Sequence, residues 1–137
     1  MFNASLKAKM AAPEETLDAY VRLHVSFVRV HPFFDGNGRM ARLLANVPVL
    51  RAGEPPIVIP REERRRYLRL LADYELATGQ ARRGLPLLPQ PERLSGFRAF
   101  CESAWGATRQ LVDAARLQQH IRDLQAIAER DDSDIDR

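Results

Sequence analysis

A proline and two glycines within eight residues separate two amphipathic stretches, and that interruption constrains the fold more than any other feature of the chain. Upstream of it, Leu17, Tyr20, Val21, His24, Phe27 and Val28 recur at three- and four-residue intervals, the spacing of one helical face. Pro13, Glu14 and Glu15 suit the opening turn of that helix, with proline where its missing N–H costs nothing and acids against the dipole. Pro32 ends it, because a proline pushes the residue before it out of the helical region. The run His31 to Gly38 is a turn in which Gly36 and Gly38 flank Asn37. A second helix is expected from Arg39, with Met40, Leu43, Leu44 and Val47 facing inward. A chain of this kind folds back on itself as two helices around a tight loop.

The remainder is helical too. Pro48 falls late in the second helix and should kink it. Gly53 stops it, and Pro55 to Pro60 reads as an extended connector. A third helix is expected over 61–77, carrying Tyr67, Leu68, Leu71 and Tyr74. A loop over 79–90 follows, then one long helix or two over 91–129. Residues 1–12 read as a flexible start and 129–137 as an acidic, disordered tail, leaving 13–128 as the folded domain. The expected architecture is all-α, a compact bundle of four or five helices with the loop between its two central members.

With 137 residues and 45% hydrophobic side chains, one domain can bury its own core without a staple. The single Cys101 allows no internal disulfide and fits a reducing compartment. No apolar run reaches membrane-spanning length and the first residues lack a signal-peptide core, so a cytoplasmic location is expected. The net charge of +3 is uneven: five acids and two arginines follow residue 128, leaving +6 on the rest. With few aromatics among the arginines, this reads as a solvated arginine-rich surface, and nucleic acid is not the expected partner.

The chemistry sits in the loop. Glycines let backbone N–H groups converge, and a helix start adds partial positive charge, so Gly36, Asn37 and Gly38 make an anion nest suited to phosphate. Asp35 is a hard oxygen ligand of the kind magnesium uses when shared with substrate phosphates. Arg39 and Arg42 project from one side of the first helical turn and can clamp phosphate oxygens. A neutral His31 can accept a proton from an incoming hydroxyl. These are the parts that transfer from a nucleotide requires. His24, on the apolar face, reads instead as a hydrogen-bonded core histidine, and His120 as a surface or interhelical one. Cys101 and Trp105 read as buried packing residues, and Tyr67 as either core or nucleotide contact.

The run His31-Pro32-Phe33-Phe34-Asp35-Gly36-Asn37-Gly38-Arg39-Met40-Ala41-Arg42 resembles the Fic family signature HPF-x-[DE]-GNGR-x-x-R at every specified position. The flanking LHVSFVRV, RLLAN, LRAGEPPIVIP and RRRYL segments are similar to the family's as well. The resemblance implies a protein adenylyltransferase that moves AMP from ATP to a Ser, Thr or Tyr hydroxyl of a target protein. His31 would be the general base and Asp35 the ligand of Mg2+. Gly36, Asn37 and Gly38 would line the anion hole, and Arg39 and Arg42 would bind the outer phosphates. Phe33 would point into the core and anchor the loop, and Tyr67 would lie near base and ribose. Gly38 stands where the related Doc-type kinases carry lysine, which favours adenylyl over phosphoryl transfer.

Two family features are not found in the sequence. Only 30 residues precede His31, where the family places helices and a β-hairpin flap that docks the target, so a domain shortened at its N-terminus is expected. The inhibitory string [ST]-x-x-x-E-[GN] is missing, which leaves inhibition to a partner protein or to none. The competing expectation is a truncated, non-catalytic module that still binds nucleotide. A further one is transfer of UMP or phosphocholine on the same scaffold. Family distribution and the excess of arginine over lysine suggest a bacterial source.

Overall fold

The computed structural model describes residues 12–135, with side chains as far as Arg130. The expected flexible start therefore lies, up to residue 11, outside the described residues. Among these described residues four α-helices follow one another: α1 (Pro13–Val30), α2 (Asn37–Arg51), α3 (Arg64–Thr78) and α4 (Ser95–Ile135). Short 3-10 turns, Arg61–Glu63 and Pro91–Leu94, lead into the last two, and the described residues contain no strand. The fold is all-α, as its periodicity predicts. Among the described residues no helix is long and apolar enough to cross a membrane.

α1 buries Thr16, Leu17, Tyr20, Val21, His24 and Val25, largely the expected stripe, and packs chiefly against α2. The inward face of α2 is not the expected one. Asn37, Ala41, Ala45 and Val49 are buried, whereas Leu43 is 66% exposed and Leu44, Val47 and Leu50 also face outward. The cause is the start of the helix. Asn37 is held by the loop, and residues four apart share a helical face, so its fixation turns the alanines inward. Their small side chains bring α2 close to α1.

The core is completed by Tyr67 and Tyr74 of α3, by Ile57 of the connector, and by Leu94, Phe97, Phe100, Cys101, Ala104 and Trp105. Leu68, expected inward, is half exposed. Each large apolar side chain buried in this way contributes about 1.5–3 kcal/mol. Burial pushes the Cys101 thiol up to about 12, consistent with a packing role. The Trp105 indole N–H donates to the Pro55 carbonyl at 2.9 Å, and the Arg109 guanidinium covers its ring at 3.6 Å.

The connector is fastened by Asn46. Its Nδ2 donates to the Ile57 carbonyl at 3.0 Å, and its Oδ1 accepts from the Ile57 N–H at 2.8 Å. α2 runs through Pro48 to Arg51 without a break in its helical assignment. α4 is one helix and outruns the body: Leu111, Leu117, Ile121, Leu124 and Ile127 are all exposed. Its 41 residues span about 60 Å, against about 27 Å for the 18 of α1. It also continues past Glu129, where a disordered tail was expected, to Ile135. Neither glycine nor proline occurs after Gly106 to stop it.

Candidate active site

The loop between α1 and α2 is built by backbone conformation and by one asparagine. His31 caps α1 in the left-handed region, at φ 50° and ψ 57°, with its N–H donating to the Phe27 carbonyl at 3.0 Å. A non-glycine residue there is uncommon and bends the chain sharply out of the helix. Gly36 caps α2 at φ 83°, a conformation that disfavours any side chain. Immediately after Gly36, Asn37 closes the turn. Its Nδ2 donates to the Phe33 carbonyl at 2.6 Å, and its Oδ1 accepts from the Phe33 N–H at 3.0 Å. Asn37 is 5% exposed.

Phe33 does not anchor the loop from the core, as the family resemblance implies. It is half exposed and rests against Phe27 at 6.2 Å between ring centroids. The loop is held through its main chain, which leaves the aromatic side chain free of that task.

α2 begins with no side-chain cap and no acid in its first turn. The N–H groups of Asn37, Gly38 and Arg39 therefore lack an intrahelical acceptor and point out of the helix start. Gly38 is helical, and a Cβ there would meet Arg42 Nη1 at 3.5 Å, an ordinary contact that would crowd the approach to that guanidinium. Asp35 accepts from the Gly36 N–H at 2.8 Å and faces Arg39 Nη2 at 3.5 Å. This pair is almost fully solvated, with side chains 94% and 76% exposed, so each partner is free to turn toward a ligand. No group of three or more His, Cys, Asp or Glu residues clusters among the described residues. One exposed carboxylate, Asp35, fits a magnesium ion shared with substrate phosphates and does not fit an all-protein cage.

Arg42 rests on a buried polar chain. Its Nη1 donates to the Tyr67 hydroxyl at 3.4 Å, and its guanidinium lies 5.6 Å from the Tyr67 ring centroid. The same hydroxyl meets His24 Nε2 at 2.8 Å. Since it accepts from Arg42, its own proton goes to His24, which accepts as a neutral imidazole protonated at Nδ1. Burial, then the nearby Arg42 charge, lowers the His24 pKa to about 3. Burial raises that of Tyr67, against the hydrogen bond and charge of Arg42. Tyr67 is 2% exposed. It stands beneath Arg42, and its hydroxyl is engaged with protein.

His31, Gly36, Asn37, Gly38, Arg39, Arg42 and Tyr67 all line one cavity of about 300 Å³, closed on its far side by Arg64, Leu68 and Leu71. Of the residues expected at the site, Asp35 alone lies off that wall. A second cavity, of about 460 Å³, shares Val28, His31 and Leu71 with the first and extends over Val25, Ala72, Tyr74 and Ala81. The imidazole thus stands where a phosphate-sized and a larger, mostly apolar space meet.

Sequence reasoning missed Arg29, two residues before His31. Its side chain is 3% exposed. Nη1 meets Glu75 Oε2 at 2.5 Å and Thr78 Oγ1 at 3.0 Å. Nε donates to the Leu87 carbonyl at 2.8 Å and Nη2 to that of Gly79 at 3.0 Å. The Tyr74 ring lies 5.2 Å away. One guanidinium therefore ties α1 to α3 and to the 79–90 loop beside the larger cavity. In the sequence Arg29 is one arginine among many near a helix end, and only the partners reveal its role.

Residues 2–49 match the family model described as Fic/DOC family. The chain is similar to the protein adenylyltransferase Fic of Drosophila yakuba, 36% identical over 98 residues, covering 55% of this chain and 20% of the relative. The Drosophila grimshawi protein of that name is 35% identical over 103 residues, covering 58% and 21%. That of Drosophila ananassae is 50% identical over 48 residues, covering 35% and 10%. The chain thus spans about a fifth or less of the length of these relatives. They are fly proteins and lend no support to the bacterial source suggested by the arginine bias. No solved structure gives a significant match. The segment that builds the His31–Arg42 loop thus lies largely within the stretch over which the chain is similar to the Fic/DOC family.

Proposed function

We propose that this chain is the nucleotide-handling core of a protein adenylyltransferase, moving AMP from ATP to a hydroxyl side chain of a target protein. The observation that carries the reading is the shared cavity: His31, the uncapped start of α2 and Arg42 face one space, with a larger apolar space beside it. The names of the fly relatives support the reaction type.

In this reading base and ribose occupy the larger cavity, between α1 and α3. The phosphates lie across the α2 start, where the N–H groups of Gly38 and Arg39 receive negative charge, and Arg39 and Arg42 hold the outer phosphates. Neutral His31 takes the proton of the target hydroxyl as its oxygen attacks the α-phosphorus. The new P–O bond forms as the bond to the bridging β-phosphate oxygen breaks, and pyrophosphate leaves with its electron pair. The positioned backbone donors stabilise the charge gathering on the α-phosphate oxygens. Asp35 would hold magnesium against those phosphates, and the ion would supply further charge neutralisation there. A partner protein that inhibits transfer belongs to the same proposal.

The test is incubation with labelled ATP, magnesium and a lysate, comparing wild type with His31→Asn. Asparagine tolerates the left-handed backbone, so this variant separates chemistry from loop geometry. The expected result is loss of transfer by at least about 100-fold, the scale of general-base catalysis, with ATP affinity kept. Equal labelling by the two proteins would remove His31 from the mechanism. ATP binding without any transfer by wild type would favour the non-catalytic module.

A further inference from the structure

Beyond Arg42 the phosphate cleft opens into another space. Arg42, Ile59, Pro60, Arg61, Arg64 and Tyr67 line a cavity of about 220 Å³, and Arg42, Arg64 and Tyr67 belong to both cavities. Three arginines from three places in the chain thus line one small volume: Arg42 from α2, Arg61 from the 3-10 turn, and Arg64 from the first turn of α3. None of them pairs with a carboxylate among the described residues, although Glu62 and Glu63 lie between two of them in sequence. By contrast, Arg29, Arg39, Arg98 and Arg109 each have an acidic partner.

Like charges lining one small space repel one another, and among the described residues no carboxylate pairs with any of the three. An anion seated among them would relieve it and would meet up to three planar donor forks, the arrangement that favours phosphate oxygens. The floor is rigid where it matters, because Tyr67 fixes Arg42 from below and is itself held by His24. The volume is about half that of the larger cavity, and its walls offer cationic donors with little apolar surface beyond Ile59 and Pro60, so it suits a phosphate group and not a nucleoside.

We infer that Arg42, Arg61 and Arg64 form a phosphate subsite beyond the glycine turn, which takes either the terminal phosphates of the bound nucleotide or free pyrophosphate. The inference extends the nucleotide reading above, but the anion site itself stands on the three arginines alone. Occupied by the outgoing end of the nucleotide, the subsite would hold pyrophosphate in line with the breaking bond. Occupied by free pyrophosphate, it would make that anion a competitor of ATP.

The experiment is calorimetric titration of the full chain with AMP, ATP and inorganic pyrophosphate, each for wild type and for Arg61→Gln/Arg64→Gln. Both replaced side chains are exposed, so the melting temperature should hold and is measured alongside. The double variant is expected to lose at least tenfold in pyrophosphate affinity while AMP affinity stays within twofold of wild type. A parallel tenfold loss for ATP identifies the nucleotide's own phosphates as the occupant; unchanged ATP affinity identifies the free anion. Arg61→Lys/Arg64→Lys, which keeps the charge, should recover part of the loss. Unchanged pyrophosphate affinity in the glutamine variant, or no pyrophosphate binding by wild type, would overturn the subsite. Pyrophosphate binding without ATP binding would instead count against the nucleotide reading and leave the subsite standing.

Discussion

Tyr67 carries more than its sequence position suggests, because its hydroxyl sits between the Arg42 guanidinium and the buried His24. Tyr67→Phe would leave His24 Nε2 without its partner and Arg42 without its rest. The expected cost is about 1–3 kcal/mol of stability, the usual penalty for an orphaned buried polar group, read as a lowered melting temperature. ATP affinity should also fall several-fold while AMP affinity holds, if Arg42 holds the outer phosphates as proposed; titration with both nucleotides checks this. His24 makes a separate prediction. Its pKa is about 3 in the fold against an ordinary 6.5 in the unfolded chain, so between those values the unfolded chain binds the extra proton. Stability should therefore be full above pH 6.5 and decline as pH falls toward 3, by up to about 1.4 kcal/mol per pH unit from this group. Melting temperatures from pH 7.5 to 4.5 should drop more steeply for wild type than for His24→Gln. Parallel curves would mean that His24 does not titrate in this way.

The helices differ in how far their sequence foretold them. α1 was legible because its apolar spacing and its proline boundaries agree with one another. α2 was legible as a helix but not in its orientation: the larger side chains, Leu43, Leu44 and Val47, suggested one face, and the locked Asn37 selected the other. Periodicity reports which residues share a face, and a tertiary hydrogen bond decided which face is inside. The site followed the same division. His31, the glycines, Arg39 and Arg42 line one cavity, and their grouping was readable because they lie within twelve residues around one turn. The chain linking His24, Tyr67 and Arg42 spans three helices, and the Arg29 network spans two helices and a loop, so neither leaves a local pattern. Arg29→Ala tests the latter. Removing a nearly buried guanidinium from an acid and three other acceptors should cost roughly 3–5 kcal/mol, measured by denaturant unfolding. Amide exchange should accelerate over residues 79–90, which that side chain ties to α1.

At the scale of the molecule, one layer of helices performs two tasks. Aromatic packing among Tyr20, His24, Tyr67, Phe97 and Phe100 fills the centre, and its upper edge supports the cleft in which the loop, α3 and the connector meet. α4 closes the bottom of that core with its first three turns and then runs on with apolar residues in solvent. The chain represents only a fraction of its fly relatives' length, and among the described residues the cleft is lined by α1, the loop, α2 and α3. Adenylyl transfer breaks the bond between the α- and β-phosphates of ATP, and phosphoryl transfer the bond between β and γ. Parallel incubations with ATP labelled at the α-phosphate and at the γ-phosphate, with magnesium and a lysate, tell the two apart directly. The expected result is protein-bound label from the α position only, abolished in His31→Asn. Label from the γ position would mean phosphoryl transfer and would contradict it, as would no protein-bound label from either.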